Sequence, residues 1–453
     1  MTVREISVAP VALDRLKALL PPERAERLMS SAARASSEFG ERTVWHVNAT
    51  ASGGGVAELL HTLLAYGNGA GVENRWLVLD ADRDFFVTTK RLHNLLHGQP
   101  GDGGPLGAAE RAHYRAVLAS NAASLRRRVS PRDIVVLHDP QTAGLVQDAR
   151  TYARVIWRCH VGRDAPNELT DIGWSFLRDF IEDAHAFVFS RGAYAPRWLD
   201  RARTWVIPPS IDPFSAKNLD LTPAEARSVL AGARLLDDHG APLSPGDRFV
   251  LQVSRWDRLK DMSGVMLGFD LLVAQGLDDV HLVLAGPQAS GVSDDPEGAE
   301  VLAECERLWR RLPARTRSRT HLATLSMQDA HENALIVNAL QRQAEVVVQK
   351  SLVEGFGLTV TEAMWKGRPV VASRVGGIQD QITHGVDGLL VDDPYDLPAF
   401  AEALGRVLAD QPLGERLGRA AHARVLDEYV GDRHLERYVD LFTALSSGPS
   451  DKS

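Results

Sequence analysis

The segment Val346–Gly377, VVVQKSLVEGFGLTVTEAMWKGRPVVASRVGG, leaves the chain few choices of fold. Val346–Val348 is an apolar, β-branched run of the kind found in parallel strands covered on both faces. Gly355 and Gly357 break that run and permit a tight turn. Thr359–Lys366 then reads as a helix, stopped by Gly367 with Pro369 two residues on, and Val370 and Val371 open a second strand. Glu354 therefore falls just past the carboxyl end of a strand, and Glu362 in the first turn or so of the helix. Open α/β sheets hold their ligands at that edge, where helix N-termini favour phosphate.

The same alternation runs through most of the chain. TVWHVNAT (43–50), RWLVLD (75–80), DIVVLHDP (133–140), ARVIWRCH (153–160), AFVFS (186–190) and TWVIPPS (204–210) read as strands separated by helices. The pattern lapses over 211–246, which is richer in Pro, Ala and charge and reads as an interdomain connection. It resumes with RFVLQVS (248–254), HLVLAGP (281–287), THLATL (320–325), EVVVQKS (345–351), RPVVAS (368–373) and DGLLVDD (387–393). The expected class is α/β, with two Rossmann-like domains. Residues 1–210 form the first, carrying a charged, helical N-terminal extension with Leu13, Leu16, Leu19 and Leu20 along one face. Residues 247–425 form the second, and 426–453 a C-terminal helix ending in a disordered tail, SSGPSDKS.

Bulk properties narrow the function. Lys+Arg 51 against Asp+Glu 59 gives a net charge of −8, so no global field favours nucleic acid or an anionic membrane. Two cysteines, Cys159 and Cys305, supply neither a disulfide framework nor a metal cluster, and fit a reducing cytoplasm. No apolar run reaches the ~20 residues of a membrane span. The N-terminus has no uninterrupted apolar stretch of the kind a secretion signal needs. Nothing in the composition argues against a homodimer.

Several residues at strand ends have chemistry suited to a ligand. Ser52-Gly53-Gly54-Gly55 sits at the first strand-to-helix turn, where glycines let the backbone approach a ligand; it is not G-x-G-x-x-G, so the dinucleotide fingerprint is absent. Arg255 and Lys260 follow the first strand of the second domain, where two cations can neutralise a departing diphosphate. His138-Asp139 and Arg158-Cys159-His160 lie at the carboxyl ends of first-domain strands, with Arg191 a weaker member of that set. A histidine or carboxylate there can hydrogen-bond a sugar hydroxyl, or can equally be a satisfied buried group or turn former. Gly376-Gly377-Ile378, with Gln379 and Gln381 behind it, offers further amides, and Gly286-Pro287 a base pocket. The histidines lack zinc spacing, so no metal site is expected. Glu354 and Glu362 are poor partners for phosphate and good acceptors for sugar hydroxyls.

With seven residues between them, Glu354 and Glu362 match the E-x7-E pattern of retaining glycosyltransferases with the two-domain GT-B architecture. Together with Arg255 and Lys260 they make the chain resemble a family 4 glycosyltransferase. HDPQTAGL (138–145), VIWRCH (155–160), WSFLRDFI (174–181), VIPPSIDPFSAKN (206–218) and VSRWDRLKD (253–261) make it similar to the trehalose glycosyltransferring synthases and trehalose phosphorylases. The resemblance implies two Rossmann-like domains with parallel sheets facing a central cleft. It further implies transfer of glucose from ADP- or UDP-glucose to glucose, giving α,α-trehalose, with no cofactor and no metal held by Asp-x-Asp. On this footing His160, Arg255, Lys260 and Glu354 are the catalytic set. Gly54, Gly55, Arg255, Lys260, Glu354, Gly355, Phe356, Gly357, Leu358 and Glu362 would bind the donor, and His138, Asp139 and Arg191 the acceptor.

One stretch departs from the family pattern. After Arg-Cys-His the family continues with an aliphatic residue and then an acid, whereas this chain reads Val161-Gly162-Arg163-Asp164. That leaves open a different acceptor. Phosphorolysis of trehalose is the main rival, since the same two cations would serve inorganic phosphate. A sugar-nucleotide epimerase and a non-catalytic sugar-binding regulator fit less well, because E-x7-E and both cations are retained together.

Overall fold

The computed structural model describes residues 3–51, 55–233, 243, 246–288 and 297–447. They form two compact units: Met1–Ser210 with Gly431–Ser453, and Ile211–Val430. Strands of the first unit are β1 (Arg4–Ile6), β2 (Thr43–Asn48), β3 (Glu73–Val78), β4 (Ile134–His138), β5 (Arg154–Cys159), β6 (Ala186–Phe189) and β7 (Thr204–Val206). Those of the second are β8 (Arg248–Val253), β9 (Val280–Pro287), β10 (Thr320–Leu325), β11 (Val346–Gln349), β12 (Val370–Ser373) and β13 (Leu389–Val391).

The first sheet has the order β1-β3-β2-β4-β5-β6-β7 and is parallel apart from β1, which pairs antiparallel with β3. The second, β10-β9-β8-β11-β12-β13, is parallel throughout. Helices cover both faces of each sheet, which is why the strands read as continuous apolar runs. In the first unit Trp157 and Phe187 are buried on one face, Trp76 and Ile156 on the other. In both sheets the strand order reverses beside the first parallel strand, between β2 and β4 and between β8 and β11. Ligands of doubly wound sheets sit at such switch points.

Three details differ from the sequence reading. The N-terminal extension is helical over Asp14–Leu19 and Pro22–Phe39, but Arg4–Ile6 is an edge strand; three residues of mixed character carry no period to reveal it. Within 211–246, the helix Pro223–Ala233 packs on the helix Ala330–Gln343 as part of the second unit. The C-terminal amphipathic stretch divides into helices Leu397–Ala409, Gln411–Glu428 and Gly431–Ser447, the last belonging to the first unit. A buried two-pronged ion pair between Arg24 and Asp432, with N–O distances of 2.7 to 3.0 Å, anchors that last helix to Pro22–Phe39. The tail 448–453 lies outside the described residues.

Candidate active site

In the second unit the switch point brings two loops together. The chain leaving β8 carries Arg255 to Asp261, and the chain leaving β11 carries Lys350 to Gly357. Leu352 N donates to Leu259 O at 2.8 Å, joining the loops through their backbones. Lys260 Nζ then lies 2.6 Å from Glu354 Oε2, which also accepts from Ser351 Oγ at 3.2 Å. Two residues 94 positions apart in sequence are thus paired at the sheet edge. Arg255 is more exposed and lies 3.5 Å from Asp257, toward the rim.

Buried side chains behind the pair hold its geometry. Gln252, on β8, donates to Lys260 O at 2.8 Å and accepts from Lys350 N at 3.0 Å. Lys350, almost fully buried, donates to Asp261 and to Pro394 O. Asp261 adopts φ +50°, unusual for a non-glycine residue, and caps the helix Met262–Ala274 by accepting from Gly264 N.

The glycine turn before the helix Leu358–Trp365 is equally fixed. Gly357 has φ +88°, where a side chain would be strained. Gly377 N donates to Gly355 O at 3.1 Å, and a Cβ on Gly377 would lie 2.7 Å from the Phe356 Cα. Close approach of the 355–357 and 376–378 backbones therefore requires glycine at 377. Gln381 donates to Phe356 O and accepts from Thr361, locking the turn from below. Gly286 and Pro287 pack under Trp256, whose ring nitrogen donates to Pro287 O at 2.9 Å.

Glu362 is buried as the fifth residue of the helix, which begins one residue earlier than the sequence suggested. Lys217 Nζ stands 3.7 Å from its Oε1. Lys366, on the same helix, donates to Asn218 Oδ1 at 3.0 Å; burial lowers its pKa, and the Glu362 carboxylate works against that shift. Lys217 and Asn218 escaped the sequence reading as site neighbours, although they end the VIPPSIDPFSAKN motif.

In the first unit, strand register sets a row of histidines along one sheet face. His46 on β2, His138 on β4 and His160 just after β5 follow a diagonal across adjacent strands. His46 Nδ1 is 3.1 Å from His138 Nε2, and His138 Nδ1 is 3.1 Å from His160 Nε2. Burial pushes the His46 pKa down to about 3 and those of His138 and His160 well below the usual range, and the Arg158 guanidinium adds to this. The C-terminal helix covers the row with Tyr438, which accepts from Arg158, and with His434, which hydrogen-bonds Pro208 O at 3.0 Å.

Both ring nitrogens of His138 are engaged by histidines, which places it between His46 and His160 in the row. Asp139, at φ +64°, accepts from His160 N at 2.7 Å, and burial pushes its pKa up to about 7 against that hydrogen bond and Arg158. Arg191 pairs with Asp164 at 2.9 Å, tying the departing Val161–Asp164 segment to the end of β6. Gly55 begins the helix Gly55–Gly69, while Ser52, Gly53 and Gly54 lie outside the described residues. Among the described residues no group of three or more His, Cys, Asp or Glu could hold a metal ion, and no helix is long and apolar enough to cross a membrane.

Comparison with known proteins gives this geometry a lineage. Residues 46–196 match the family "Trehalose synthase, N-terminal domain", and residues 237–424 match "Glycosyl transferases group 1". A trehalose synthase of Pyrococcus horikoshii is 33% identical over 443 residues, covering 98% of this chain and 99% of that protein. The chain belongs to the trehalose synthase family. A trehalose phosphorylase of Pleurotus pulmonarius is 25% identical over 84% of this chain, which spans about half (54%) of that longer protein. The structure titled "Trehalose-6-phosphate synthase. OtsA" shares the fold, with a TM-score of 0.68 at 17% identity, covering 90% of this chain and 99% of that one. Like the family at large, this trehalose synthase relative is a GT-B glycosyltransferase with two Rossmann-like units. What its sequence did not disclose is the support behind the site: Gln252 and Lys350 under Lys260, and His46 behind His138. Single buried polar residues inside apolar strands give no spacing signal to find them by.

Proposed function

We propose that the protein is a retaining glucosyltransferase that moves glucose from an NDP-glucose onto free glucose, forming α,α-trehalose. The 2.6 Å pairing of Lys260 with Glu354 at the switch point carries this reading. It puts a cation suited to a leaving diphosphate beside a carboxylate suited to sugar hydroxyls. When the donor enters, the lysine exchanges its carboxylate partner for phosphate oxygens, together with Arg255. Glu354 is then released to accept hydrogen bonds from the transferred glucose, with Glu362 on the ribose. The amides of Gly355–Leu358 line the donor.

Same-face attack accounts for retention without a protein nucleophile. The acceptor hydroxyl attacks the anomeric carbon as the bond to the leaving phosphate breaks, and the phosphate oxygen takes the hydroxyl proton. Lys260 and Arg255 lower the barrier because the charge they meet grows in the transition state. His160 and Asp139 belong to the sugar side of the reaction, and no metal or cofactor enters it. A cytoplasmic setting suits nucleotide-sugar substrates.

Phosphorolysis is the second reading, supported by the similarity to a trehalose phosphorylase. The two separate in the cleavage direction. Purified protein given trehalose with ADP or UDP is expected to release NDP-glucose, and trehalose with inorganic phosphate to stay intact. Formation of glucose 1-phosphate in the second mixture would overturn the first reading.

A further inference from the structure

Residues 212–219, near the start of the second unit, contain no helix or strand, yet side chains from two helices tie them down. Asn218, almost fully buried, is the centre of this strap. Its amide nitrogen donates to Asp212 O at 3.0 Å and to Ser215 Oγ at 3.3 Å, closing the strap on itself. Its side-chain oxygen accepts from Lys366 Nζ at 3.0 Å, and its backbone oxygen from Trp365 Nε1 at 3.1 Å and Arg342 Nη2 at 3.3 Å. Asn338, buried in the helix Ala330–Gln343, donates to Ala216 O at 3.0 Å and to Leu219 O at 2.8 Å. Its own oxygen accepts from Arg342 Nε at 3.0 Å, so the clamp is itself held in place.

Ordering an irregular segment this tightly costs conformational entropy, and what it delivers is Lys217. The Lys217 ammonium lies 3.7 Å from Glu362 Oε1, with 20% of its side chain exposed against 5% for Glu362. That separation is an ion pair rather than a hydrogen bond. Lys366 links both members: it holds Asn218, the next residue after Lys217, and donates to Glu362 O at 3.1 Å. A carboxylate fixed on a helix and an ammonium fixed on the strap thus form one two-sided reader. A hydroxyl suits it, because its proton goes to the carboxylate and its lone pair to the ammonium. A phosphate there would meet the Glu362 charge, and an apolar group would leave both charges without a partner.

We propose that Lys217 is a specificity-determining residue of the donor site, reading the nucleotide's ribose hydroxyls together with Glu362, and that Asn218 and Lys366 are the positioning residues that hold it there. This role rests on the reading of Glu362 as the ribose contact. A nucleotide that lacks one of the hydroxyls loses the donor to Glu362 and the acceptor for Lys217 at once. The strap therefore makes the site selective for ribose over deoxyribose.

The test is titration calorimetry of ADP and UDP, and of their 2′-deoxy and 3′-deoxy forms, on the full chain. The wild-type protein should bind a ribonucleotide at least about tenfold more tightly than one of its deoxy forms, the effect of a lost hydrogen bond to a charged group. Lys217→Met should shrink that ratio to within about threefold by weakening the ribonucleotide alone, and Lys217→Arg should restore most of it. Lys366→Met should shrink the ratio too, but not further in a Lys217→Met background. Should Lys366→Met fail to fold, the Lys217 variants carry the test, since that side chain is partly exposed. A ratio unchanged in Lys217→Met, or equal weakening of both forms as a merely structural ion pair would give, would overturn the proposal. A wild-type ratio near one, a ratio that Glu362→Gln leaves unchanged, or no nucleotide binding at all would instead overturn the ribose reading beneath it.

Discussion

Lys260→Ala is expected to lower turnover by two to three orders of magnitude, about what loss of one pre-set donor to a developing charge costs elsewhere. It should also weaken nucleotide binding, since the ammonium meets the diphosphate in the ground state as well. Glu354→Gln is expected to behave differently. The amide keeps the shape of the carboxylate but accepts fewer hydrogen bonds from the transferred sugar, so turnover should fall far more than nucleotide affinity. Their 2.6 Å contact means that the single changes are not independent, and the double variant should lose less than the product of the two. Steady-state kinetics with the donor varied, alongside nucleotide titration, reads all four proteins. Equal and mild effects from both single changes would remove the assigned roles. Both residues sit on loops held by Gln252, Lys350 and Asp261, so thermal unfolding of each variant separates lost chemistry from lost structure.

Acid is expected to unfold the first unit, through its histidines. Burial lowers the pKa of His46, His138, His160 and His434 well below 6.5. A group with a depressed folded pKa binds its proton more readily in the unfolded chain, so stability falls as pH drops below the unfolded value. Asp139 opposes this. Its folded pKa is raised to about 7 from 3.8, so in the same window the folded state holds a proton that the unfolded chain gives up. Four protons taken up on unfolding against one released leaves three, or roughly 4 kcal/mol lost per pH unit below about pH 6. The Arg158 guanidinium, and Arg437 beside His434, add to this by disfavouring a positive charge on these rings. Thermal melts from about pH 7.5 to about pH 5.5 should therefore show a steep fall in Tm, with uptake of about three protons on unfolding. A Tm independent of pH across that window would contradict the burial of these rings as neutral groups.

Much of the second unit could be read from sequence because its information is local. β11, the turn at Gly355–Gly357, the helix after it and β12 follow one another within about ten residues each, and each is set by residues inside it. The β8 loop is legible for the same reason, and the parallel topology then brings Lys260 to Glu354. The first unit gives less away. His138 and His160 could be located at strand ends, but their partnership depends on the register of β2, β4 and β5, which no single segment specifies. His46, a lone polar residue in a buried strand, has no neighbour in sequence to explain it. Its place in the row follows only from the diagonal across three strands. The helix Gly431–Ser447 was legible as an amphipathic helix, yet its return to the first unit depends on Arg24 and Asp432, 408 positions apart.

The account rests on one reaction, and its products are the most direct measure of it. Protein would be incubated with ADP-, UDP- and GDP-glucose, each with and without free glucose, and the products identified by NMR. The predicted result is a disaccharide that forms only when glucose is present, joined through both anomeric carbons in the α configuration. A product carrying an inverted β-linked glucose, or nucleotide release with no glucose-dependent disaccharide from any donor, would contradict it.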